Sequence, residues 1–245
     1  MKVHQRFRRA GPRRLSSVVA PPPEAQPREG ESLAARYSRM AHEGYEPLRV
    51  DIVLRLLDLA IAGVALLVLS PLAALIALAI RIESGAPVLY RGLRVGRAGG
   101  LFTMFKFRTL APDAEQRLGP YLGAELTRLT DNEVTRVGRL LRASHLDELP
   151  QLANVIAGDM SIVGPRPIRP AFFEQLCEEI PQYWQRLVVP PGITGFAQMR
   201  MTREMTWAEK LAHDLEYIAD RSVRLYLTIV GDTFADLPRR AREAI

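Results

Sequence analysis

The chain has 245 residues, 48% of them hydrophobic and 24% charged, with a net charge of +6. That suits one compact domain with extra segments, and the basic balance favours anionic partners: nucleic acid, phosphorylated metabolites or an anionic lipid surface. The single cysteine, Cys177, excludes an intramolecular disulfide and a cysteine-rich metal cluster, and reads as a small, buried apolar residue.

Residues 1–48 contain three consecutive prolines at 21–23, scattered arginines and little apolar periodicity. They read as a basic, largely disordered arm whose arginines either touch anionic headgroups or are simply solvated. No apolar stretch follows the basic residues 2–14 closely, which argues against a secretory signal peptide.

Residues 49–81 read as a membrane element. Between 59 and 80 there is no charged residue, and as a helix this run is about 33 Å long, enough to cross a bilayer core. Pro71 lacks an N–H and its ring clashes with the Leu67 carbonyl, which predicts a kink. Ser70 can return a hydrogen bond to the freed backbone. Both flanks are basic: Arg49 and Arg55 precede the run, and Arg81, Arg91, Arg94, Arg97, Lys106 and Arg108 follow it. The positive-inside rule therefore favours a re-entrant hairpin, with both ends in the cytoplasm, over a straight span.

Residues 82–245 form the expected cytoplasmic domain, of α/β class and predominantly helical. Residues 88–95 and 101–109 read as two short strands joined by a glycine-rich turn. Helices are expected at 135–154, interrupted by Pro150, and at 172–184 and 207–219. Pro165, Pro167 and Pro170 mark an irregular loop, and 190–192 another. Residues 225–237 are amphipathic, lying on the protein or at the membrane interface.

Chemistry concentrates at Asp147 and Glu148, neighbours in a helix-like segment. Adjacent helical residues point about 100 degrees apart, so the two do not pair with each other but can converge on one ligand. An aspartate can attack a phosphoryl group to give an acyl phosphate, and a neighbouring carboxylate can hold Mg²⁺. An isolated acidic pair is usually solvated. The surrounding cations change that reading. Lys106 and Arg108 share one strand face, Arg142 lies just upstream, and Arg166 sits between two prolines that fix its backbone. His145, and His213 beside Asp214, read as surface or packing residues, and no histidine pair has zinc-ligand spacing.

The stretches YRGLRVGRAGGLFTMFKFRTL (90–110), TRVGRLLRASHLDELPQLANVIAGDMSIVGPRP (135–167) and PGITGFAQ (191–198) resemble the bacterial sugar transferase family, the monotopic phosphoglycosyl transferases. So does the Ser70-Pro71 pair within an apolar helix. The resemblance covers about residues 48–240. It implies that Asp147 is the nucleophile on the sugar-bearing phosphate of a UDP-sugar, with Glu148 completing a catalytic dyad. UMP leaves, and polyprenyl (undecaprenyl) phosphate then attacks the phospho-aspartate. Mg²⁺ is implied near Asp147 and Glu148, Arg142 as a phosphate contact, and Asp214 as a further acid of the family pattern. The implied setting is the bacterial inner membrane, with the site at the cytoplasmic face. Downstream glycosyltransferases or a second copy of the chain are candidate partners. The chain departs from the family at Phe196, where tryptophan is frequent, at 200–203, where an Asn-Gly-Arg-like run is frequent, and at Leu110, where methionine is.

Two other readings remain. A membrane-anchored adaptor that binds anionic lipid or a partner enzyme would have no need of Asp147. A nucleic-acid binder conflicts with the membrane segment and lacks a recognition motif or stacking platform.

Overall fold

The computed structural model describes residues 49–112, 114, 131–200 and 205–243. The expected basic arm and residues 201–203 of the departing run lie outside the described residues. The longest element, α1 (Arg49–Ser84), is one 36-residue helix, about 54 Å long at the usual rise per residue. It is the one helix among the described residues long and apolar enough to cross a membrane. Asp51 in its first turn and Arg81 in its last complement the helix dipole. The helix runs through Pro71, and the Ser70 hydroxyl donates to the Leu67 carbonyl (2.9 Å), the acceptor that Pro71 cannot serve.

Both ends of α1 are fastened to the rest of the chain by polar bonds and buried side chains, while its middle makes only partly buried apolar contacts through Ala65, Leu66 and Ala73. In the first leg Asp51 pairs with Arg221 (2.7 Å), and Arg55 donates to the carbonyls of Val155 (2.6 Å) and Ile156 (3.0 Å). Asp58, 3% exposed, accepts from the Ser161 hydroxyl, the Ile162 N–H and the Tyr226 hydroxyl. In the last leg Ile76 and Ile80 pack with Phe107 and Leu141. Arg108 donates to Ser84 and Gly85 there. No residue between Gly63 and Leu75 is buried, and Leu67 is 77% exposed.

The hairpin is as expected. Strands β1 (Leu89–Val95) and β2 (Leu101–Phe107) pair antiparallel, with Gly92 opposite Met104. The helix expected over 135–154, interrupted by Pro150, is two helices, α2 (Arg136–Ser144) and α3 (Gln151–Ala157); Pro150 precedes the second, but the break begins earlier and holds a 3₁₀ turn (Leu146–Glu148). His145 causes the break. It adopts a left-handed conformation (φ 56°, ψ 15°), and Pro150 then has no N–H to rejoin the ladder. The start of α2 is doubly capped. Thr135 accepts from the Gly138 N–H, and Glu83 of α1 accepts from the N–H groups of Arg136 and Val137. Gly138 is required here, because a Cβ would lie 2.1 Å from the Thr109 carbonyl.

A second, parallel pair was not foreseen. Strands β3 (Ser161–Val163) and β4 (Gly192–Thr194) are three residues each, and Gly164 and Gly192 permit their close approach. The helix expected over 172–184 is α4 (Pro170–Glu179) followed by a 3₁₀ segment (Tyr183–Val188). Ile180 is extended ahead of Pro181, as residues before proline usually are. The remaining helices are α5 (Phe196–Arg200), α6 (Trp207–Asp220) and α7 (Val223–Glu243). Their apolar faces meet α1, α3 and α4 in one main core that includes Val155, Phe173, Leu176, Tyr183, Tyr226 and Ile229.

Candidate active site

The dyad is carried by the 3₁₀ turn rather than by an α-helix. Asp147 is buried, at 9% exposed, and Glu148 is half-buried. Lys106 of β2 bridges the two carboxylates, with Nζ 2.5 Å from Glu148 Oε1 and 3.6 Å from Asp147 Oδ2. Asn154 of α3 holds that strand in place. Its Oδ1 accepts from the Phe105 N–H (3.0 Å) and its Nδ2 donates to the Thr103 carbonyl (2.8 Å). Arg166, in the proline-flanked turn, places Nη2 3.9 Å from Glu148 Oε1, while Nη1 donates to Gln198 Oε1 (3.1 Å).

Arg142 is tethered by its Nε to the Thr109 hydroxyl (3.0 Å). Its two Nη atoms make no hydrogen bond to a described residue. An arginine held by Nε with its Nη atoms clear suits an incoming phosphate.

Two of the candidate residues have protein partners away from the dyad. Strand β2 ends at Phe107, so Arg108 does not continue the Lys106 face; its Nη2 binds the C-terminal end of α1 instead. Asp214 is buried in an ion pair with Arg186 (2.9 Å), and Arg186 Nη2 also donates to the Arg166 carbonyl (2.9 Å). Asp214 thus supports the turn that carries Arg166 rather than facing the cavity.

A cavity opens beside the dyad. Lys106, Glu148, Gln151 and Arg166 line it. Phe172 and Trp207, packed edge to face at 4.8 Å, also line it. Sequence reasoning missed Gln151, Asn154 and Arg186. The first two fall inside a segment read only for apolar spacing, and Arg186 is one of many arginines until its buried partner is seen.

The environment separates the two acids. Burial pushes the Asp147 carboxyl above the ordinary range; Lys106 works against this, and the neighbouring Glu148 charge adds to it. Burial acts to raise Glu148 as well, but Lys106 and Arg166 outweigh it and hold Glu148 below the ordinary range. A group needed as a carboxylate then gives an activity profile that rises with pH through its raised pKa. Because Lys106 lowers both acids, Lys106→Met should move the acid limb of kcat/KM to higher pH. A pH–rate series on both proteins measures this, and an unmoved limb would separate Lys106 from the dyad.

An acidic pair bridged by a lysine, with Arg166 at its edge, in a chain with one helix long and apolar enough to cross a membrane, is an arrangement suited to binding phosphate groups. The comparisons agree and are more specific. Residues 49–240 match the model of the bacterial sugar transferase family, and the chain belongs to that family. It is 40% identical over 198 residues to a UDP-glucose:undecaprenyl-phosphate glucose-1-phosphate transferase of Caulobacter vibrioides, covering 77% of this chain and 70% of the relative. It is 38% identical over 200 residues to an exopolysaccharide production protein of Rhizobium leguminosarum bv. phaseoli, covering 78% of this chain and 98% of the relative. A UDP-N-acetylgalactosamine-undecaprenyl-phosphate N-acetylgalactosaminephosphotransferase of Aeromonas hydrophila is 38% identical over 180 residues, 72% of this chain but 41% of the longer relative.

Proposed function

We propose that the chain transfers a sugar-1-phosphate from a UDP-sugar to undecaprenyl phosphate at the cytoplasmic face of the inner membrane, through a phospho-aspartate, as the first membrane step of exopolysaccharide or glycoconjugate synthesis. The observation that carries this reading is the Asp147–Glu148 pair bridged by Lys106, with Lys106 and Glu148 lining a cavity of the same body that grips both ends of α1.

In the first step an Asp147 carboxylate oxygen attacks the phosphorus that bears the sugar. The bond from that phosphorus to the oxygen bridging to the UMP phosphate breaks, and UMP leaves with the electron pair. In the second step an oxygen of undecaprenyl phosphate attacks the same phosphorus and frees the carboxylate. Lys106 and the arginines stabilise the charge that builds on the phosphoryl oxygens. The dianionic lipid phosphate attacks without needing a proton acceptor, and Glu148, held ionised, keeps Lys106 beside Asp147. The donor set also fits Mg²⁺, since two hard carboxylates already share one cation, Lys106 Nζ, and Mg²⁺ is usually held by one or two carboxylates with substrate phosphates. Asp147 and Glu148 would hold the ion, which supplies neutralisation of the diphosphate charge.

The re-entrant course of α1 is part of the proposal. Its two ends are bonded to one body, and a body on one side of a bilayer cannot bind both ends of a straight span. The middle, from Gly63 to Leu75, where no residue is buried, is then what enters the lipid. Ile52→Cys and Ile82→Cys lie near the two ends and both are exposed in the protein. Both should react with an impermeant thiol reagent only from the cytoplasmic side. The native Cys177 adds little background, because burial pushes its thiol up to about 12. Labelling from opposite sides would overturn the hairpin.

UMP release over a panel of UDP-sugars, with undecaprenyl phosphate as acceptor, tests the reaction. In the same assay Arg142→Ala and Arg166→Ala should each lower kcat/KM about 10- to 100-fold with unchanged melting temperature, the effect of losing one charge-assisted hydrogen bond. Near-normal kinetics would remove that arginine from the site.

A further inference from the structure

We infer that the side-chain amide of Gln151 binds the transferred half of the donor, through an oxygen of the sugar or of the phosphoryl group that carries it. The inference rests on the proposed reaction and adds a substrate-binding residue to it.

Gln151 is 2% exposed, yet it lines the cavity, and its buried Nε2 has no hydrogen-bond partner in the structure. Asn154, one turn further along α3, makes the contrast. It is buried equally well, at 1%, and its amide is fully used by the Phe105 N–H, the Thr103 carbonyl and Asp159. The same helix thus buries two carboxamides, one satisfied by the fold and one with an unpartnered nitrogen on a residue that lines a cavity. Buried polar groups in native proteins are nearly all paired, so an orphan that lines a cavity calls for a partner supplied from outside the chain.

Its position selects the part of the donor. Gln151 lies three residues after Glu148 and lines the cavity together with Lys106, Glu148 and Arg166, the groups placed to hold the donor phosphates in the proposed reaction. The groups that flank the phosphorus attacked by Asp147 and stay with it are its own oxygens and the sugar hydroxyls. Both accept a hydrogen bond from an amide N–H. A neutral amide adds little to charge stabilisation, which the cations already provide, but it does fix orientation.

The test is Gln151→Met in the full chain in lipid nanodiscs, which exchanges the amide for an apolar side chain of similar volume. Removing an orphaned buried amide should leave the melting temperature unchanged or higher. The kcat/KM for the preferred UDP-sugar should fall about tenfold or more, the change that corresponds to one lost hydrogen bond to substrate. Inhibition by UMP, which lacks the transferred half, should be unchanged. Donors deoxygenated at single sugar positions separate the two sources. If one of them removes the difference between wild type and variant, the partner is that hydroxyl; if the difference persists with all of them, it is a phosphoryl oxygen. Wild-type kcat/KM in the variant, equal weakening of UMP, or a fall in melting temperature that accounts for the lost activity would each overturn the inference. A wild-type protein that turns over no UDP-sugar would overturn the proposed reaction itself, and this inference with it.

Discussion

Asp147→Asn is expected to abolish transfer, lowering kcat by about 10⁴-fold or more, the scale seen when a nucleophile or its direct partner is removed. The asparagine keeps the shape of the side chain and removes the attacking oxygen's charge. Folding should not suffer. Burial raises the Asp147 pKa in the folded protein, so ionising it costs more there than in the unfolded chain. The stability linked to this group is therefore present below the unfolded pKa and declines as pH rises through the folded one. At neutral pH the neutral amide should leave the melting temperature equal or higher. Lost turnover with undiminished stability and membrane association is the signature of a chemical role. Donor alone, quenched rapidly and analysed by mass spectrometry, should leave a sugar-phosphate adduct on the peptide that contains Asp147, and the variant should leave none. Glu148→Gln should also be severely impaired, since Lys106 would lose its closest carboxylate. If no adduct forms and the kinetics require both substrates to be bound together, Asp147 is a base or metal ligand in a direct transfer.

The dyad, Lys106, Arg142 and Arg166 stand out in the sequence because they fall within short motifs whose residue types suggest phosphate chemistry. The helix break at His145 does not, since a left-handed histidine leaves no mark on apolar spacing. The short pair of β3 and β4 escaped for a related reason: three-residue strands are too brief for alternation to appear. Arg108 lies one residue past the end of β2, so strand alternation does not reach it. Asp214 pairs with Arg186, 28 residues away in sequence, a long-range partner that the sequence conceals. The apolar run shows the same limit, because its reading began at Leu59, just past the charged residues that fasten the helix. Asp51, Arg55 and Asp58 look like flaws in a membrane segment until residues 100 or more positions away are brought against them.

Asp58→Ala should therefore be among the most destabilising single changes in the chain, although Asp58 is remote from any reacting atom. One carboxylate oxygen, Oδ1, receives three donors: the Ser161 hydroxyl at 3.0 Å, the Ile162 N–H at 2.8 Å and the Tyr226 hydroxyl at 2.7 Å. These come from β3 and α7, so a single oxygen joins the first leg of α1 to two other elements. Alanine leaves all three donors in an enclosed site, and each stranded donor costs about 1–3 kcal/mol. The sum is large beside the total stability of roughly 5–15 kcal/mol typical of a folded domain. Asp58→Asn should be much milder, because the asparagine Oδ1 can still accept from the same groups. A purified Asp58→Ala protein should show a clearly lowered melting temperature and faster proteolysis between α1 and the body, with Asp58→Asn close to wild type. Equal stability of the alanine variant would mean that the leg is held by its apolar contacts alone. It would also weaken the argument that both ends of α1 are fixed on one side of the membrane.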